Sequence, residues 1–339
     1  LETFYEAKPG LIKHSAIALG FFDGVHPGHQ VVIGEAIAQA KKKGVVPGVV
    51  TFRDHPRLLT QGTAPLLLTV IEQRLQLFAD LGIEAALVLS FDEELCRLSP
   101  HDYVESILVK AMGAQSIAVG YNHHFGRDRE GNPALLAEMG KELGFDVQVA
   151  PEIHVDGLDL SSSKIRDAIL KGDLPLANHL LSRPYAMYGG VVKGDQRGRQ
   201  IGFPTANLAP YEFQLVPLRG VYAGRARIID GANSGLPGGL LPVVINVGYR
   251  PTFEKSSLAA RNNSGIVVEV HILDFEGDLY GKRLDVQFLH YLRAEQKFDG
   301  IEELKKQIQE DCRIARNALE EDERQSGGNP SAQSQKTKA

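Results

Sequence analysis

The stretch Ser15-Ala16-Ile17-Ala18-Leu19-Gly20-Phe21-Phe22-Asp23-Gly24-Val25-His26-Pro27-Gly28-His29 decides how the first half of this chain folds. An apolar run of strand length ends at Gly20, a glycine-rich loop follows, and a helical pattern runs from His29 to Lys43. Gly20, Gly24 and Gly28 let backbone N–H groups approach an anion closely, and the helix start adds its dipole. His26 and His29 stand three apart, so both can face one phosphate. Imidazoles placed there donate hydrogen bonds to the charge that builds up when an α-phosphate is attacked. The plainer alternative is two exposed histidines in a Gly/Pro turn.

Outward from this segment, further short apolar runs alternate with helical patterns. Val45–Phe52, Ala85–Ser90, Gln115–Gly120 and Phe145–Ala150 read as strands, and Val70–Leu81, His101–Met112 and Asn132–Leu143 as helices. Such alternation predicts a parallel sheet with helices on both faces, which binds ligands at the carboxyl ends of its strands. Three more segments follow strands or open helices in the right places: Thr51-Phe52-Arg53-Asp54-His55-Pro56, Gly120-Tyr121-Asn122-His123-His124-Phe125-Gly126 and Ser161-Ser162-Ser163-Lys164-Ile165-Arg166. The last offers hydroxyls and two cations to phosphates, or is an ordinary N-cap with a charged face. Five histidines on these loops (His26, His29, His55, His123, His124) also raise a metal site, but no acidic or Cys ligand completes a usual set.

After Arg183-Pro184 the texture changes. Tyr185–Val192, Val221–Ile229, Leu241–Val247, Ile266–Leu273 and Leu284–Leu292 are β-rich, with turn signals at Asp230-Gly231 and Glu276-Gly277, and predict an antiparallel barrel or sandwich. Phe298–Leu319 reads as a closing helix with Ile301, Leu304, Ile308 and Ile314 on its apolar side. The expected domains are residues 1–183 and 184–320. Residues 321–339, Ser/Gly/Gln/Lys-rich from Gln325 on, are expected to be a disordered tail. Gly189–Asn207 is dense in glycine and cation, the composition of a flexible basic loop over phosphates. Thr205 and Asn207, two apart on extended backbone, point the same way and are hard oxygen ligands suited to Mg²⁺ shared with ATP. A glycine-rich hairpin with structural Thr and Asn fits the same residues.

Composition narrows the classes. The 339 residues carry a net charge of −5, against a nucleic-acid binder. Two cysteines, Cys96 and Cys312, at no redox or zinc spacing fit a reducing compartment. No apolar run approaches a membrane span and no signal segment opens the chain, so a cytoplasmic location is expected. Small molecules are the expected partners, with room for a weak homo-oligomer.

The strand–HxGH–helix unit is similar to that of HIGH-type nucleotidyltransferases. From about Ile17 to Ile169 the chain resembles the FMN adenylyltransferase module of the prokaryotic bifunctional riboflavin kinase/FAD synthetase family. GxFDGVHxGH is matched by Gly20–His29, TFxPHP by Thr51–Pro56, VGxDFRFG by Val119–Gly126 and SSTRIR by Ser162–Arg166. The chain departs from the usual residues at Phe21 (Asn), Asp54 (Pro), His123-His124 (Phe-Arg) and Lys164 (Arg). From about Arg183 to Arg313 it resembles the kinase module. Gly202-Phe203-Pro204-Thr205-Ala206-Asn207 looks like GxPTAN, and Gly220–Ala223, Asn246–Phe253, Val268–Asp274, Leu279–Gly281 and Arg293–Phe298 follow in order.

The resemblance implies a Rossmann-like nucleotidyltransferase domain with a parallel sheet and a small riboflavin kinase-like antiparallel barrel of six strands with a terminal helix. It implies ATP-dependent phosphorylation of riboflavin to FMN, then adenylylation of FMN to FAD with release of pyrophosphate. By resemblance ATP is held by Gly20, Phe22, Asp23, Gly24, Asn122, Ser162, Ser163 and Arg166 in the first domain. In the second it is held by Lys193, Gly194, Gly202, Thr205 and Asn207, the last two with Mg²⁺. His26 and His29 act in adenylylation, Glu269 is the general base on the riboflavin 5′-hydroxyl, and Arg293 occupies a flavin-loop position. Two other readings stand beside this one: a kinase whose first module serves a different nucleotidyl acceptor, and a non-enzymatic flavin sensor or carrier.

Overall fold

The predicted alternation is realised as an all-parallel sheet. The computed structural model describes residues 1–193, 198, 201–229, 239–249 and 265–327. In the first part the strands are β1 (Glu2–Phe4), β2 (Ser15–Leu19), β3 (Val46–Phe52), β4 (Ala85–Leu89), β5 (Ala114–Gly120) and β6 (Asp146–Ala150). They lie in the order β1-β4-β3-β2-β5-β6. Helices α1 (Pro27–Lys43), α2 (Arg57–Gln61), α3 (Ile71–Leu81), α4 (Glu93–Arg97), α5 (Pro100–Tyr103, continuing as a π-helix over Val104–Ala111) and α6 (Pro133–Leu143) alternate with them. A short hairpin, β7 (His154–Val155) with β8 (Leu158–Asp159), precedes α7 (Ser162–Leu170) and α8 (Leu174–Leu181). Separate apolar cores around Leu108 and Ile117 and around Ile33 and Phe78 cover the sheet through alternate strand residues, as a sheet covered on both faces requires.

From β2 the chain adds β3 and β4 on one side, then crosses to add β5 and β6 on the other. The order therefore reverses between β2 and β5, and the crevice beyond their carboxyl ends is where open α/β sheets bind ligands. The loops Gly20–His29 and Gly120–Gly126 flank that point.

The second part is a closed barrel of β9 (Tyr185–Val192), β10 (Ala206–Pro210), β11 (Gly220–Ile228), β12 (Leu241–Tyr249), β13 (Ile266–Ile272) and β14 (Arg283–Arg293), ordered β10-β13-β12-β11-β14-β9. All its pairings are antiparallel. Closure removes the exposed edges that a six-stranded open sheet would carry. Tyr185, Met187, Tyr222, Ile245, Val286 and Phe288 are buried, while the alternate set Val221, Ala223 and Val244 packs against Ala315 and Leu319 of the last helix, α9 (Ile301–Gly327).

The structure changes three expectations. The helix α9 runs through Gly327, so the first seven residues of the expected tail are helical; residues 328–339 lie outside the described set. Its packed side is Leu304, Ile308, Asp311, Ala315 and Leu319, whereas Ile301 and Ile314 are exposed. Leu304 and Ile308 lie on the expected side, but Ile301 and Ile314 do not, because the packed face continues through Asp311, a charged residue, and Ala315. The compact units also divide differently from a cut at 183/184. Leu1–Lys164 and Leu180–Ser182 form one, and Ile165–His179 groups with the chain from Arg183. Asn178 gives the reason, accepting a hydrogen bond from Tyr185 N at 2.7 Å and donating one to Phe288 O at 3.1 Å. The turn expected at Asp230-Gly231 lies outside the described residues.

Candidate active sites

In the α/β unit the site starts from the geometry of one helix end. His26 is the N-cap of α1 and His29 lies one turn in, its N–H donating to His26 O at 2.8 Å. Neighbours three apart on a helix share a face, and the two imidazoles stack with centroids 3.7 Å apart. A Cβ on Gly28 would come within 3.3 Å of the His26 ring, so glycine there leaves the ring its place.

The loop before them is strained and held. Phe22 (φ 57°) and Val25 (φ 41°) occupy the left-handed region, costly for a bulky and a β-branched side chain. The carboxylate of Asp23 accepts from Leu68 N at 3.1 Å and Thr69 N at 3.0 Å, and Thr69 Oγ1 accepts from Gly24 N at 2.9 Å. Asp23 thus holds the loop's shape from inside. Gly24 (φ 87°) is needed twice: for its backbone angle and because a Cβ would meet Leu68 Cδ1 at 2.8 Å. Ser162 Oγ donates to Asp23 O at 3.0 Å, which brings the start of α7 to this loop. Ser163 and Asn122 are exposed, and Gly20 and Arg166 are half-buried.

Sequence reasoning missed Arg74, a fully buried residue of α3. Its guanidinium donates to Phe21 O (2.8 Å), Phe52 O (2.9 Å) and Arg53 O (2.8 Å), and lies 4.6 Å from the centre of the Phe21 ring. It therefore ties the loops after β2 and β3 together. Burial lowers its pKa to about 10, opposed by Asp23, Asp54 and Glu72, so it stays charged at neutral pH. No pattern in the sequence separates such an arginine from a surface one. Phe21, which also meets His55 edge-on at 4.9 Å, is part of this packing.

In the barrel the site residues share one rung. Asn207 on β10 is opposite Glu269 on β13, Glu269 opposite Asn246 on β12, Asn246 opposite Val221 on β11, and Val221 opposite Arg293 on β14. Asn246 Nδ2 donates to Glu269 Oε2 at 3.2 Å. These residues line a cavity of ≈450 Å³ together with Thr205, Glu295 and Leu304, Ile308 and Asp311 of α9. A second cavity of ≈510 Å³ is lined by Pro204, Thr205, Ala206 and Phe275–Tyr280, so Thr205 borders both. Lys193 is exposed at the end of β9, Gly202 turns with φ 89°, and Gly194 lies outside the described residues.

Arg293 lines this cavity, and its guanidinium forks onto Asp311, Nε–Oδ1 2.9 Å and Nη2–Oδ2 2.6 Å. That partner was not foreseen. The pair fastens β14 to α9, with Asp311 buried and Arg293 half-buried, a fork geometry suited to Arg rather than Lys. Glu295, also unforeseen as a site residue, has its pKa raised by burial, with Glu269 adding to the rise and Arg219 and Arg293 opposing it.

For the magnesium that the resemblance implies, the fit rests on donor chemistry. Thr205 and Asn207 present a hydroxyl and an amide oxygen beside the Glu269 carboxylate, all hard oxygens, and Arg293 in the same cavity is neutralised by Asp311. Among the described residues, no cluster of three or more His, Cys, Asp or Glu is arranged to hold a metal by itself.

A parallel α/β unit with stacked HxGH histidines at its switch point, and a closed barrel carrying a carboxylate and hard-oxygen rung, define a nucleotidyltransferase-type unit and a small-molecule kinase-type unit in one chain. The comparisons agree: the FAD synthetase family model matches residues 9–164 and the riboflavin kinase model residues 181–319. A bifunctional riboflavin kinase/FMN adenylyltransferase of Pseudomonas fluorescens is 39% identical over 88% of this chain and 91% of its own length, and that of Escherichia coli K12 is 36% identical over the same shares. A solved Streptococcus pneumoniae chain described as a macrolide-efflux protein superposes with a TM-score of 0.78 at 28% identity, over 94% of this chain and 99% of its own. Among the described residues here, no helix is long and apolar enough to cross a membrane. The chain belongs to the bifunctional riboflavin kinase/FMN adenylyltransferase family.

Proposed function

We propose that the barrel phosphorylates riboflavin to FMN with ATP and that the α/β unit adenylylates FMN to FAD. The observation that carries the kinase half is Thr205, whose position borders both barrel cavities. ATP in the cavity walled by Phe275–Tyr280 and riboflavin in the cavity under α9 would meet at this residue. Glu269 takes the proton of the riboflavin 5′-hydroxyl as its oxygen bonds to the γ-phosphorus and ADP leaves. Asn246, donating to Glu269 Oε2, fixes the carboxylate's orientation. Thr205 and Asn207 would hold the magnesium that arrives with ATP, which would neutralise phosphate charge. The Arg293–Asp311 pair keeps the flavin side of the cavity in place.

In the α/β unit, an FMN phosphate oxygen attacks the α-phosphorus of ATP and pyrophosphate leaves. His26, His29 and the backbone N–H groups of the Gly20–Gly28 loop stabilise the charge on the α-phosphate. Gly20, Phe22, Asp23 and Gly24 shape this cradle, and Asn122, Ser162 and Ser163 complete the nucleotide's contacts. A cytoplasmic setting belongs to the same proposal, supported by ATP as substrate and by two cysteines that are both free.

Incubation with riboflavin, ATP and Mg²⁺, followed by chromatography, tests the whole reading. FMN and FAD together are expected. FMN alone would point to a different nucleotidyl acceptor for the α/β unit, and unchanged riboflavin to a flavin-binding protein without catalysis.

A further inference from the structure

His123 follows β5 on one side of the switch-point crevice, and the mechanism above does not use it. Its Nε2 atom is shielded from solvent and hydrogen-bonds to none of the described residues. Its ring stacks on Phe125 at 6.0 Å and 20°, and Phe125 in turn tilts against the buried Tyr103 at 5.9 Å. A phenylalanine would make the same stack without leaving a nitrogen unsatisfied. A buried polar atom without a partner is costly and uncommon in a folded protein, and a ligand group is one way such an atom is satisfied.

The proton state narrows the kind of group. Burial, with His124 and Arg129 nearby, lowers the imidazole pKa to about 4. At neutral pH the ring carries one N–H and one lone pair, which suits the mixed donor–acceptor edge of a nitrogen heterocycle. A phosphate would be better served by an imidazolium. The near-parallel rings of His123 and Phe125 also suit packing beside a planar ring system.

We infer that His123 is a ligand-contacting residue of the adenylyltransferase crevice, its Nε2 hydrogen-bonding the heterocycle of a substrate, either the isoalloxazine of FMN or the adenine of ATP. The inference rests on the adenylyltransferase reading given above. His123→Phe keeps the stack and removes the nitrogen; His123→Gln keeps a polar group that can donate or accept.

The test follows FAD formation from supplied FMN and ATP by the full chain, with each substrate varied in turn. His123→Phe is expected to raise the KM for one substrate about tenfold, the effect of one lost buried hydrogen bond. His123→Gln should recover most of that loss. Formation of FMN from riboflavin should stay unchanged. A raised KM for FMN assigns the contact to isoalloxazine, and a raised KM for ATP assigns it to adenine. The melting temperature of His123→Phe should hold or rise, by about 2–4 °C, because an orphan polar atom has gone. Both KM values within twofold of the unsubstituted chain would overturn the inference alone. Failure of the unsubstituted chain to make FAD would overturn the parent reading as well.

Discussion

The two units build their sites from opposite material. In the α/β unit every proposed group lies on a loop or a helix start after a strand, and the loop carrying His26 and His29 is held from elsewhere in the chain by Thr69, through Asp23 and Gly24, and by Arg74, through Phe21. In the barrel Asn207, Glu269, Asn246 and Arg293 lie on the strands themselves, placed on one rung by cross-strand register, with Thr205 immediately before β10. The difference teaches where rigidity comes from. A rung inherits its geometry from the sheet ladder, whereas a strained loop needs buried supports distant in sequence.

The largest effect expected from this contrast is at the centre of the rung. Glu269→Gln keeps the shape and can still accept from Asn246, but cannot take the hydroxyl proton. FMN formation should fall about 10²–10⁴-fold while FAD formation from supplied FMN continues. A parallel loss of both reactions, with the fold intact by circular dichroism, would break the separation of the sites.

His29→Ala is the matching change on the loop, and should lower FAD formation about 10²–10³-fold with riboflavin phosphorylation retained. Near-normal FAD formation would remove the HxGH loop from the chemistry.

A third comparison concerns how self-sufficient the barrel is. A fragment of residues 162–327 should fold and make FMN. One of residues 184–327 loses the buried Leu174 and Ala177 and both hydrogen bonds of Asn178, and should be less stable by about 3 kcal/mol or more. Equal urea midpoints for the two would show that Ile165–His179 contributes nothing to the barrel.

The smallest effect is expected at the hard-oxygen ligands. Thr205→Ala or Asn207→Ala should each raise the KM for Mg–ATP in the kinase reaction about tenfold, since other oxygens of the cavity remain. Steady-state kinetics at varied Mg–ATP would sharpen the contrast if Thr205, which borders both cavities, also lowered kcat.

Much of the molecule was legible before its structure. Periodicity marked β2 to β6 and most of the barrel strands, because each has one or two faces to bury and the pattern of apolar residues records them. Motif spacing singled out His26, His29, Thr205 and Asn207 as candidates, since local backbone geometry carries their alignment over a few residues, while Glu269 entered only through the family resemblance. The short β1 was not legible: three residues, Glu2–Phe4, have too little pattern to declare a strand, and pairing with β4 makes them one. The strand β10 was partly hidden by the proline that ends it.

The sequence by itself determined the two classes of unit, the order of their strands and helices, and the local pairs of chemical groups, because these depend on propensity, periodicity and short spacing. Only the tertiary structure decided that Arg74 would lock two loops, that Asp311 would neutralise Arg293, that Asn246 would meet Glu269, and that Ile165–His179 would join the barrel. Each of those pairings spans residues distant in the chain. Their partners are selected by burial, where an unsatisfied charge or amide is most costly, and burial is a property of the folded whole.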